Sequence, residues 1–175
     1  MNHGLHHALG QCLTNGLPGV EVLLDAACGG SQHLPLFMSA QRSRATEVCD
    51  VDALVMKRGQ IRLIIEIEES SINPTQLAGK VLASALASHY IHETQPRPVR
   101  LAQPVRSIQV VDASLLAPGS SKQAQFRQIE ARIRALLPLP GSSITGYSLL
   151  EIDGSRRPVD CAALLAAVKD ALAAG

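Results

Sequence analysis

The sequence predicts an α/β fold, a mixed β-sheet flanked by helices, on three observations. Runs that alternate apolar and polar residues, such as Ile61–Glu68, are interspersed with longer stretches whose apolar residues recur three or four apart. The apolar complement is aliphatic, with two Phe, two Tyr and no Trp, so Leu, Ile, Val and Ala must build the core. The 175 residues suit one domain with one substantial core, and neither a repeat period nor a low-complexity linker divides them.

In chain order, the stretch from Leu5 to Cys28 is Leu- and Ala-rich and interrupted by Gly16, Pro18 and Gly19, which predicts one helix or two short ones joined by a turn. His33 to Met38 reads as a short first strand. Glu47 to Met56 reads as one strand, with Val48, Asp50, Asp52, Leu54 and Met56 on one face and the apolar Cys49, Val51, Ala53 and Val55 on the other. Lys57 to Gln60 is a turn signal, and Ile61 to Glu68 is its returning strand, with Leu63, Ile65 and Ile67 facing away from Arg62, Ile64, Glu66 and Glu68. Asn73 followed by Pro74 opens a helix expected to reach His92, where Pro96 and Pro98 stop it. Ser107 to Val111 is a strand, Ser121 to Leu137 a helix, Ile144 to Ile152 a strand and Val159 to Ala173 an Ala- and Leu-rich helix, buried or at a subunit contact.

Composition narrows the function. A formal charge of +1 gives no bulk attraction to nucleic acid or an acidic membrane, and so few aromatic residues cannot provide a base-stacking platform. The cysteines Cys12, Cys28, Cys49 and Cys161 form no C-x-x-C pair and read as reduced thiols in a cytoplasmic protein. Neither a signal peptide nor a membrane-length apolar run is evident.

The chemistry lies in the predicted hairpin. Asp50 and Asp52 share a face with Leu54 and Met56, as Glu66 and Glu68 do with Ile64. A loop with an odd number of residues brings the two apolar faces together and gathers the carboxylates where cross-strand Cβ atoms lie roughly 5 Å apart. One register sets Asp52 opposite Glu66, the other Asp50. A two-residue loop would bury acids among apolar side chains, so an odd loop is expected. Such a carboxylate cluster suits Mg²⁺, a hard cation that takes oxygen ligands and keeps several waters, and metal-assisted hydrolysis is the corresponding reaction class. In the following helix Gln76 and Lys80 lie one turn apart on one side, while Leu77, Val81, Leu82 and Leu86 are expected to be buried on the other. The competing expectation is an exposed edge strand whose acids only prevent aggregation.

An Asp on the first hairpin strand (Cys49-Asp50-Val51-Asp52-Ala53-Leu54-Val55), a Glu-x-Glu on the second (Ile64-Ile65-Glu66-Ile67-Glu68-Glu69) and a helix carrying Gln76 and Lys80 resemble the PD-(D/E)XK nuclease superfamily, over roughly residues 34–112. The resemblance implies a restriction endonuclease-like αβββαβ core. Asp52 and Glu66 match the two motif acids, and Glu68 stands where the motif lysine usually does. Some members of this superfamily carry Glu there, and others move the lysine to the next helix, the position of Lys80. The resemblance further implies Mg²⁺ (or Mn²⁺) held by Asp52 and Glu66, with Asp50 the alternative to Asp52 as metal ligand, and Glu68 or Lys80 orienting water against a DNA phosphodiester. Arg42, Arg44 and Gln76 are candidate nucleic-acid contacts, and a dimer suits the cutting of two strands. The expected partner is DNA.

Other signals carry less. His3, His6 and His7 cluster, and His89 and His92 lie three apart on the predicted helix, but neither set has the partners of a zinc site. Ser70, Ser71, Ser120 and Ser121 read as turn and cap hydroxyls. Nucleophile-elbow, Walker and dinucleotide motifs are all missing from the sequence.

Overall fold

The structure, a computed structural model, describes residues 4–70, 72–95 and 97–174. His3, Ser71 and Pro96 lie outside them. The elements in chain order are α1 (Gly4–Gly16), β1 (Glu21–Leu24), β2 (Pro35–Phe37), β3 (Glu47–Asp50), β4 (Ala53–Lys57), β5 (Gln60–Glu68), α2 (Pro74–Leu86), β6 (His89–Ile91), β7 (Pro98–Asp112), α3 (Ser121–Leu136), β8 (Ile144–Ile152) and α4 (Ala162–Ala173). A short 3-10 turn, Ala113–Leu115, follows β7.

The fold is mixed α/β, with an eight-stranded sheet between helices. The sheet runs β1-β4-β5-β7-β6-β2-β3, and β8 also pairs with β7. β1, β4 and β5 are successively antiparallel, while β5, β7 and β8 run parallel, with α2 on the connection from β5 to β7 and α3 on that from β7 to β8. α1 and α4 cover one face through Leu5, Leu9, Leu13, Leu164 and Val168, which pack on Ala53, Val55, Leu63, Ile65 and Ile67. α2 and α3 cover the other, where Leu77 and Phe126 close over Val111. The strands between these layers are buried on both faces, which is why β5 carries six consecutive buried residues, Leu63 to Glu68.

This architecture corrects several expectations. The stretch read as helical through Cys28 is helical only to Gly16, because Pro18 and Gly19 (φ 77°) turn the chain, and the four residues of β1 complete their hydrogen bonds on β4. The single strand expected over Glu47–Met56 breaks at Val51 and Asp52, since β3 pairs with β2 whereas β4 lies between β1 and β5. α2 stops at Leu86. His89 lies in strand β6, paired with β2 and β7, and His92 follows that strand, so neither is helical. The strand expected over Ser107–Val111 begins at Pro98.

The hairpin loop is the two-residue form expected to be excluded. Arg58 and Gly59 both have positive φ, 55° and 71°, as a tight hairpin turn between right-twisted strands requires. Parity is restored by a bulge. Met56 pairs with Ile61 but Val55 with Leu63, so Arg62 is left over and every later residue of β5 changes face. Ala53 then meets Ile65 and Leu54 meets Ile64, the same alignment an odd loop would have produced.

Cys12 on α1 and Cys161 at the start of α4 form a disulfide, so the expectation of four reduced thiols holds only for Cys28 and Cys49. Their 149-residue separation left no local signal, whereas α1 and α4 pack side by side. Among the described residues no helix is long and apolar enough to cross a membrane.

Candidate functional site

The site lies at the C-terminal end of β5. This strand is interior, between β4 and β7, and Glu66 and Glu68 are only 2% and 6% exposed, so the exposed-edge reading is overturned. Both carboxylates project toward α2. That helix starts soon after β5 because the Asn73 side chain accepts the Gln76 N–H at 2.9 Å and Pro74 fits the first turn. Its buried stripe is Leu77, Val81, Ser84 and Ala85, with Lys80 turned to the acids; Leu82 and Leu86, expected to be buried, are exposed.

Lys80 joins the two glutamates. Its Nζ donates to Glu66 Oε2 at 2.9 Å and lies 2.9 Å from Glu68 Oε1, at ion-pair distance but outside hydrogen-bonding geometry. Extended by one residue, the β4–β5 register sets Asp52 opposite Glu66 and so decides between the two aspartates. Asp52 Oδ2 accepts the backbone N–H of Ile67 at 2.6 Å. Asp50 instead ends β3, exposed, on the rim of an open groove of about 760 Å³ that is also lined by Cys49, Glu66, Gln76, Gly79 and Lys80.

The sequence reading missed His6 and Glu69. The first turn of α1 brings His6 Nε2 to 3.7 Å from Asp52 Oδ1, while His6 Nδ1 lies 2.6 Å from Glu69 Oε2. Glu69 Oε1 accepts the Leu5 N–H at 2.5 Å, tying the helix N-terminus to the end of β5. Over 40 residues separate His6 from Asp52, and only the packing of α1 on the sheet joins them.

The electrostatics follow from burial. Burial pushes the Glu66 carboxyl up to about 8, against the pull of the Lys80 ammonium. Burial likewise raises Asp52, opposed by the Ile67 N–H and the Lys80 and His6 charges. Burial alone would lower Lys80, but Glu66 and Glu68 outweigh it and hold the amine well above its usual range. Burial and the neighbouring Glu66 push Cys49 up to about 12, leaving a neutral thiol rather than a nucleophile.

No family model, curated protein or solved structure matches this chain. The site therefore has to be read from its own geometry. Asp52, Glu66, Glu68 and Lys80, expected from sequence, come together. Gln76 lines the groove, its Oε1 accepting from Asn73 Nδ2. Arg44 lines a smaller pocket that shares Cys49 and Asp50 with the groove, and Arg42 is exposed and bonded to Glu93.

Among the described residues no three His, Cys, Asp or Glu side chains are arranged as a metal cage. Mg²⁺ sites seldom need one, because the ion is usually held by one or two carboxylates and keeps its remaining waters. The donor set fits such an ion: the carboxylates of Asp52, Glu66 and Glu68 supply oxygen ligands and outnumber the one lysine beside them.

Proposed function

We propose that this chain is a metal-dependent nuclease that hydrolyses DNA phosphodiester bonds by an activated water, with a PD-(D/E)XK-type site. One observation carries the reading: Lys80, one helix away from the strand acids, reaches back to Glu66 and Glu68 beside Asp52. That is where a lysine moved off the second strand has to return for the motif to remain whole. The path α1, β1, β4, β5, α2, β7 supports it, because it follows the αβββαβ order with β7 parallel to β5.

Asp52 and Glu66 would hold Mg²⁺ or Mn²⁺, which supplies Lewis-acid stabilisation of charge on the phosphoryl group. Lys80 stays protonated, so it acts as a fixed positive charge beside the phosphate and does not take a proton. Glu68, ion-paired with Lys80 on the face it shares with Glu66, would accept a proton from the attacking water. His6 and Glu69 fix Asp52 from the α1 side. Gln76 and Arg44 flank the groove and contact the DNA backbone. Cutting both strands of a duplex calls for two such sites, which a homodimer provides.

The second reading is a catalytically inactive protein of the same fold that binds nucleic acid or a protein partner. It is favoured by Glu68 at the usual lysine position and by the engagement of both glutamates with Lys80.

The test is cleavage of plasmid and of labelled single- and double-stranded DNA with Mg²⁺ or Mn²⁺, comparing wild type, Glu66→Ala, Lys80→Met and an EDTA control. Metal-dependent nicking that is lost in Glu66→Ala, and at least about a hundredfold slower in Lys80→Met, is the expected result. Metal uptake without cleavage of any substrate selects the inactive reading, and neither uptake nor cleavage refutes both the metal site and the nuclease.

A further inference from the structure

A second row of buried polar side chains continues the site along the α2-facing side of the sheet. The parallel β5–β7 register sets Gln109 beside Glu66, with its side chain on the same face. β8 adds Tyr147, paired with Ser107 one step back along β7. Gln109 is wholly buried and Tyr147 is 3% exposed.

The Tyr147 hydroxyl donates to Gln109 Oε1 at 2.5 Å. Burial, then the charges of Glu130 and Glu68, raise the phenol well above its ordinary range, so it stays protonated and remains a donor. That bond fixes the amide. With Oε1 committed to Tyr147, the Nε2 donors turn to the other side, and Nε2 has no hydrogen-bond partner among the described residues. A buried donor left in this way costs about 1–3 kcal/mol, which an apolar residue of the same size would avoid.

The adjoining strand offers that donor carboxylate oxygens. Glu66 is its register neighbour, and Glu68 lies two residues further along the same face of β5, buried and ion-paired with Lys80. Carboxylates that bind a cation are ordinarily oriented by hydrogen bonds from a surrounding layer. We propose that Gln109, held by Tyr147, is a positioning residue that orients Glu66, a ligand of the proposed divalent cation, and the neighbouring Glu68. This rests on the metal reading above but assigns residues outside the motif that suggested it. With a cation bound, Gln109 would donate through Nε2 to a carboxylate oxygen of the adjoining strand. Tyr147 keeps the amide from flipping.

The experiment is Mn²⁺ titration of the purified full-length protein by calorimetry, with the metal-free Tm recorded alongside, for wild type, Gln109→Leu, Tyr147→Phe and the double variant. Mn²⁺ affinity is expected to fall 10- to 100-fold in each single variant. The double variant should resemble the weaker single, because both substitutions break one chain of contacts. The metal-free Tm of the double variant, in which neither the Nε2 donor nor the Tyr147 hydroxyl is left buried without a partner, should be unchanged or higher, an outcome that a merely structural role would not produce. Tyr147→Phe removes a single oxygen and keeps the test open if Gln109→Leu folds poorly. Wild-type affinity in both single variants, or a loss that only tracks Tm, overturns the proposal. A wild type that binds no Mn²⁺ removes the metal reading itself, and this inference with it.

Discussion

Replacing Glu66 with Gln tests the electrostatics of the site directly. The folded protein binds the Glu66 proton more tightly than the unfolded chain does, since burial moves the carboxyl from 4.5 to about 8. The stability this group contributes is fully present below about pH 4.5 and is lost as pH rises through 8. The loss runs at up to about 1.4 kcal/mol per pH unit and approaches about 5 kcal/mol across that interval. Gln is nearly isosteric with the protonated acid, accepts from Lys80 through its own Oε1 and does not titrate. With EDTA present, wild type and Glu66→Gln should be about equally stable at pH 4.5, and the variant should become progressively more stable toward pH 8.5. At a typical urea dependence of about 2 kcal/mol per molar, the midpoints should separate by about 2 M. With no Trp in the chain, far-UV circular dichroism is the appropriate signal. A midpoint difference that does not change with pH would refute the argument that burial dominates at Glu66.

Two further outcomes follow from the same packing. Lys80→Met leaves Glu66 and Glu68 without their cation and should cost about 3 kcal/mol at pH 8, the lower end for a broken buried pair because Lys80 is a third exposed. The cost should shrink at pH 5, where Glu66 takes up a proton, and an unchanged cost in urea titrations at the two pH values would contradict the assignment. Reducing Cys12–Cys161 opens a loop of 149 residues, for which chain entropy gives about 5 kcal/mol, or a Tm lower by roughly 10–20 °C. Calorimetry with and without reductant measures this, and Cys12→Ser should reproduce it with no response to reductant.

Much of the local structure was legible because local chemistry determines it. β8 has the bounds its alternation indicates, and α3 ends one residue early, with Ser120 capping Gln123 N as its hydroxyl suggested. Asn73 and Pro74 start α2 where an N-cap and a first-turn proline belong. The acids of β5 were legible as a pair because alternation places Glu66 and Glu68 on one face whatever the strand pairs with.

The tertiary structure decided what depends on partners. Val51 and Asp52 break a strand whose pattern is continuous, because the residues on either side pair with different neighbours. His89–Ile91 is a strand because β2 and β7 offer it hydrogen bonds that outweigh a weak helical preference. The two-residue hairpin and its Arg62 bulge are indistinguishable by side-chain pattern from an odd loop, since both restore the same face. Choosing Asp52 over Asp50 needed the register, and finding His6 and the Cys12–Cys161 bond needed contacts between distant segments. Sequence alone determined which residues are ionisable and which side chains share a face of a strand, because both are set within a few residues. Which charges meet was fixed only when helices 40 to 150 residues apart were packed on one sheet.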